Sequence, residues 1–135
     1  MSIPEAALAH VHVHDVMNTG ILTTDSSTSL RVVARLMAEQ RVHVVAVAHP
    51  DNARRPWGMV TTLDIAAAAA EGTDPSAGEA AAGRDIATIS STEQLDYAAQ
   101  IMASHQLTHL MVIDSATGHP TGVLSSLDIA AAYGS

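Results

Sequence analysis

Two short phrases carry most of the chemistry open to this chain. Gly58, Thr61 and Asp64 stand in GMVTTLDIAAA, and sixty-four positions later Gly122, Ser125 and Asp128 stand in GVLSSLDIAAA. Each phrase sets a hydroxyl three residues before a carboxylate, at the junction of an apolar run and an Ala-rich one. A strand that ends at the hydroxyl and a helix that begins directly after it place Thr61 or Ser125 at the N-cap and the Asp at N3. That geometry serves two chemistries. In a capping box the hydroxyl accepts from the N3 amide and the acid reaches back to the N-cap amide. In ligand capture the helix N-terminus offers amides and a partial positive charge to a phosphate, while the Asp accepts from the two hydroxyls of a ribose. The preceding Gly lets a ligand ring approach the strand without meeting a side chain. The two roles are compatible, and the sequence alone does not choose between them.

Histidine supplies the other candidates. His10, His12 and His14 alternate in HVHVHD, so an extended segment would set three imidazoles on one face with Asp15 nearby. Such a set suits zinc or nickel. A terminal stretch lacks outer-shell partners to orient its ligands, so a solvated or dimer-contacting tail is expected here and no metal. His43 and His109 fall in strand-like runs, where a neutral imidazole donates one hydrogen bond more readily than it supplies a full charge. The chain has no Cys, so disulfides and thiolate metal sites are excluded. No Ser pairs visibly with a base and no motif holds a carboxylate pair. An enzyme is therefore not expected.

Composition narrows the partners. The formal charge is −8, every cation is Arg, and the chain has one Trp, two Tyr and no Phe. Such a surface repels nucleic-acid backbones and anionic lipid and offers no aromatic platform for stacking bases. Residues 68–135 hold eight acids against Arg84 alone, so a bound anion must draw its positive charge mainly from the first half. Nothing at the start reads as a signal peptide and no apolar run reaches the length of a membrane span, which points to the cytoplasm.

The elements that must position the two phrases are themselves repeated. At an offset of 65, SLRVVARLM falls on QLDYAAQIM. Both place apolar residues at i, i+3, i+4 and i+7: Leu30, Val33, Ala34 and Met37 in the first copy, Leu95, Ala98, Ala99 and Met102 in the second. Each helix leads into a buried-strand run, VHVVAVA or LTHLMVI, then a polar loop, a short strand and an Ala-rich helix. The spacing predicts an α/β fold of two strand-helix-strand-strand-helix repeats. The boundaries are an N-terminal segment at 1–14, repeat one at 15–72, a Gly/Asp-Pro/Ser linker at 73–79 and repeat two at 80–135.

The duplication, the element order and the paired G-h-h-[ST]-x-x-D phrases resemble a tandem pair of CBS domains, named after cystathionine beta-synthase, over residues 15–133. The resemblance implies a pseudo-twofold module with an adenosine-containing ligand in a cleft between the repeats. It implies one cleft built from Leu22, through its backbone, and Val42 with Val123, Ser125 and Asp128, and His109 near the phosphate. A second cleft would combine Ala87 and Leu107 with Met59, Thr61 and Asp64, and His43 near the phosphate. Candidate phosphate cations are Arg41, Arg84 and the loop pair Arg54 and Arg55. With so few, an AMP-like ligand is expected over ATP, ADP and S-adenosylmethionine being the other candidates, and no cofactor is expected. The resemblance also implies a homodimer, whose close approach the Ala-rich helices over 63–71 and 127–133 permit, and a protein partner regulated through it is a further expectation. The contrasting reading is a ligand-free interaction module in which both phrases only cap helices.

Overall fold

A computed structural model describes residues 6–50, 57–82 and 86–135. In chain order its elements are α1 (Ala6–Ala9), α2 (Val13–Val16), β1 (Asn18–Thr19), β2 (Thr23–Asp25), α3 (Leu30–Gln40), β3 (Val44–Ala48), β4 (Trp57–Thr61) and α4 (Thr62–Glu71). They continue as α5 (Ala77–Ala82), β5 (Thr88–Ser90), α6 (Leu95–His105), β6 (His109–Ile113), β7 (Pro120–Ser125) and α7 (Ser126–Tyr133). The mixed α/β content and the repeated element order agree with the sequence reading. The chain divides into two compact units, residues 21–86 and residues 1–20 with 87–135.

In the 21–86 unit, β2 and β3 run parallel, with Thr23 opposite Ala46, and β3 and β4 run antiparallel, with Val44 opposite Thr61 and Ala46 opposite Met59. The central strand is buried from Val44 to Val47, which explains why VHVVAVA reads as continuous rather than alternating. Leu30, Val33 and Met37 bury the predicted stripe of α3 against Val45, Val47 and Val60. Ser29 caps that helix by accepting from the Val32 N–H at 3.3 Å.

The stretch read as a linker is structured at both of its ends. Asp74 accepts from the Arg31 N–H at 3.0 Å and Pro75 O accepts from the Leu30 N–H at 2.8 Å, so two residues of the expected linker satisfy the start of α3. Helix α5 then begins inside it, and Ala77 and Ala81 lie in the core. Its start was readable as a capping box, Ser76-x-x-Glu79: Ser76 Oγ accepts from the Glu79 N–H at 3.2 Å and lies 3.1 Å from Glu79 Oε1.

In the second unit the strand order is β1-β7-β6-β5, with β5 and β6 parallel and the other neighbours antiparallel. Leu95, Ala98 and Met102 of α6 pack with Ile89, Leu110, Val112 and Leu124. The N-terminal segment is part of this core. Val13 is fully buried in it, because the Val13 N–H donates to Glu93 O, the His14 N–H to Ser91 O and the Leu95 N–H to Val11 O, at 2.8–2.9 Å. The expectation of a solvated tail therefore fails from residue 11 onward. Residues 6–20 fold with the second copy of the repeat rather than the first.

Both long helices end on a left-handed residue that is not Gly. Arg41 and Gln106, sixty-five positions apart, each have φ of 54°. This position favours Gly because a side chain there meets the backbone. Gln106→Gly is expected to stabilise its unit by about 0.5–1 kcal/mol, read as a raised urea midpoint at unchanged slope.

Candidate ligand-binding site

The two phrases fold as their spacing requires. Thr61 and Ser125 close their strands in extended conformation and become the N-caps of α4 and α7. Asp64 Oδ2 accepts from the Thr61 N–H at 2.7 Å and lies 3.2 Å from Thr61 Oγ1. Asp128 Oδ2 accepts from the Ser125 N–H at 2.8 Å and from Ser125 Oγ at 2.9 Å, while Ser125 Oγ lies 3.2 Å from the Asp128 N–H. The Asn18 side chain adds a donor to the same oxygen at 3.4 Å. The capping role is thus realised in both copies. At Asp128 these bonds all fall on Oδ2, whereas an ionised carboxylate has roughly four acceptor sites over its two oxygens.

Around each pair the sheet sets a short polar frame. In the 21–86 unit the Thr62 N–H donates to His43 O at 3.0 Å, so His43 adjoins the N-terminus of α4. An open groove of about 320 Å³ follows, lined by Met37, Arg41, Val42, His43, Thr62 and Ile65. Its size is at the low end for small-molecule sites. In the other unit His109 lies opposite Ser125 across β6 and β7, with Nδ1 at 3.0 Å from Thr108 Oγ1, and the Ser126 N–H donates to Thr108 O at 2.9 Å. Val123 stands opposite Met111 on one side and Asn18 on the other. Each His is thus set beside the N-cap of its own unit.

The remaining candidates fall at the matching strand entries. Leu22 and Ala87 are half-buried, and their carbonyls accept from the Ala46 and Met111 N–H groups at 2.9 and 3.0 Å. Val42 and Leu107 are half-buried behind the left-handed helix caps, and Met59 is buried on β4. Arg54, Arg55 and Arg84 lie outside the described residues, which leaves Arg41 as the expected phosphate cation that can be placed.

One expectation needs correction. The Gly of each phrase does not hold space open for a ligand ring. A Cβ on Gly58 would fall 2.7 Å from the His49 ring nitrogen and 3.0 Å from the Ala81 Cβ. A Cβ on Gly122 would collide with Asn18 O and come within 3.1 Å of Met17 Sδ. These glycines admit the chain's own α5 and β1, which no local pattern announces.

Sequence reading singled out Asp15 only as a neighbour of the histidines. Its carboxyl is held below the usual carboxylate range, chiefly by the His12 N–H that it accepts, with the His14 and His12 rings adding to the effect.

The family model for the CBS domain matches twice, over residues 13–71 and 78–135. The chain belongs to the CBS domain family. Solved CBS structures share the fold. A CBS domain protein from Pyrobaculum aerophilum, PAE2072, complexed with AMP, is 27% identical, with a TM-score of 0.74 over 87% of this chain and 89% of that one. The CBS domain pair of protein MJ0100, in complex with 5′-methylthioadenosine and S-adenosyl-L-methionine, gives a TM-score of 0.78 at 22% identity, over 92% and 96% of the two chains. Among curated proteins, a homoserine O-acetyltransferase of Methanosphaerula palustris is 34% identical over 119 residues, 88% of this chain and 23% of that enzyme. A second, from Methanohalophilus mahii, is 34% identical over 94% of this chain and 25% of its own length. The chain spans about a quarter of the length of these curated relatives. Among the described residues, no helix is long and apolar enough to cross a membrane.

Proposed function

We propose that this CBS protein is a non-catalytic sensor that binds an adenosine-containing ligand, with the ribose held by a repeated hydroxyl and Asp pair. The observation that carries the reading is the 27% identity to a CBS protein complexed with AMP, over nearly the whole of both chains. The capping geometry supports it at Asp128, where the bonds from Ser125 and Asn18 all fall on one carboxylate oxygen and a carboxylate has acceptor capacity beyond them for ribose hydroxyls. Ser125 and Asp128 are the favoured pair, with Val123 and His109 beside them, and Thr61, Asp64, Met59 and His43 form the second. An AMP-like ligand is favoured over ATP, because a chain of net charge −8 gains little from each added phosphate.

Thermal-shift titration with AMP, ADP, ATP, S-adenosylmethionine and 5′-methylthioadenosine tests this. A ligand at 100 times its dissociation constant stabilises by about 2.7 kcal/mol. The expected order places AMP or an uncharged adenosine above ATP. No shift with any of the five would overturn the reading.

A second reading, a dimerisation module, rests on the Ala-rich helices. No residue of α4 or α7 is fully buried, and the matching Leu63 and Leu127 are 72% and 76% exposed. Exposed apolar residues repeated at one position are suited to self-association. Light scattering is expected to return the dimer mass at micromolar concentration, and the monomer mass would contradict it.

A further inference from the structure

The side chains of His12, His14 and Asp15 in HVHVHD lie outside the hydrophobic core and have no part in the adenosine reading. The segment does not run extended, as the alternation suggested. A helical turn starts at Val13, with His12 as its N-cap, and this brings His12, His14 and Asp15 together and leaves His10 outside the cluster. One ligand atom from each of the three lies within 4.8 Å of the others, the one such group of metal-binding side chains among the described residues. His14 Nδ1 is 3.2 Å from Asp15 Oδ1, and His12 Nδ1 is 3.8 Å from Asp15 Oδ2. The two imidazoles stack with ring planes 1° apart and centroids 5.4 Å apart.

From this geometry we infer that His12, His14 and Asp15 form a binding site for a divalent transition-metal ion of the zinc and nickel class. Bond lengths of about 2.0–2.2 Å place two ligand atoms on one tetrahedral ion about 3.3–3.5 Å apart. The His14–Asp15 pair is already at that spacing, and the His12–Asp15 pair is within about half an ångström of it. The two pairs use different oxygens of Asp15 and all three ligand atoms lie within 4.8 Å, so side-chain rotation at these partly or fully exposed positions must bring them onto one ion. Two imidazoles and one carboxylate select zinc, nickel, cobalt or copper over magnesium and calcium, which prefer oxygen ligands. Three protein ligands leave a position for water.

The expected weakness of a terminal segment, that it cannot orient metal ligands, does not apply to this turn. The His14 N–H is fixed to Ser91 O and the Val13 N–H to Glu93 O, both at 2.9 Å, and His12 bridges to Gln94. Val13, between the two histidines, is fully buried. The Asp15 carboxylate is itself oriented, by the His12 N–H at 2.9 Å. Such outer contacts are what metal sites use to hold their ligands in place. The net charge of −8 favours cations further.

The test is isothermal titration of zinc and nickel chlorides into the full chain, without a histidine tag and stripped by chelator, with cobalt absorption as a spectroscopic check. The result expected is one ion per chain, a tetrahedral cobalt spectrum and a raised melting temperature with zinc. His12→Gln and His14→Gln, both at solvent-accessible positions, should each weaken zinc at least ten-fold, while His10→Gln leaves it unchanged. Circular dichroism of each variant separates lost binding from lost fold. Absence of zinc and nickel binding, binding that persists in the His12→Gln/His14→Gln double variant, or magnesium binding of equal strength would overturn the assignment.

Discussion

Gly122→Ala is expected to cost its unit about 3 kcal/mol, the upper end for forcing atoms into a packed interior. The added methyl would collide with Asn18 O, a backbone atom held in register by the pairing of β1 and β7, with Met17 Sδ 3.1 Å away. Relief requires moving a strand. The same change at Gly58 meets chiefly the end of the His49 side chain, which can rotate away, and then the Ala81 Cβ at 3.0 Å. About 1 kcal/mol is expected there. Urea denaturation of the two variants reads the difference directly. Equal, negligible costs would return both glycines to the role of space held open for a ligand.

Val13→Ala is expected to cost about 2–3 kcal/mol, combining lost transfer energy with a partly unrelaxed cavity. Val13 has no exposed surface and packs in one cluster with Leu95, Leu110 and Leu124. A free N-terminal tail would tolerate the change within the roughly ±0.5 kcal/mol usual for surface sites. Chemical denaturation therefore decides whether residues 6–20 are integral to the second unit, and a neutral Val13→Ala would show that they are not.

These two expectations mark where local pattern stops being informative. The stripe Leu30, Val33, Met37 and its copy Leu95, Ala98, Met102 were legible because a helix reports its buried face through spacing alone. The hydroxyl and Asp pairs were legible for the same reason, since a capping box closes within four residues. Val13, Gly58 and Gly122 owe their environments to partners far along the chain: Glu93 and Leu95, α5, and β1. No period in HVHVHD or GTDPSAGE encodes those partners. Helix α5 was hidden by Ala and Gly, which carry no amphipathic signal, although Ser76 and Glu79 marked its start. The gathering of His12, His14 and Asp15 was hidden for a related reason. Alternation suggested an extended face, whereas burial of Val13 and capping by Asp15 impose a turn that gathers two of the three histidines.

Central to the sensor reading is a repeated carboxylate that holds a ligand as well as a helix, and Asp128→Asn separates the two roles in one protein. As a cap alone, Asp128 is worth about 0.3–1 kcal/mol, because Asn keeps an acceptor for the Ser125 N–H. As a ribose acceptor it makes charge-assisted bonds worth about 1.5–3 kcal/mol, and each 1.4 kcal/mol is about a factor of ten in affinity. The deciding measurement is calorimetric titration of AMP into the parent and into Asp128→Asn, with denaturation curves for both. The expected result is that AMP binds the parent and that its affinity falls about ten-fold or more in the variant, while stability falls by no more than about 1 kcal/mol. An Asp128→Asn protein that binds AMP as tightly as the parent would contradict it.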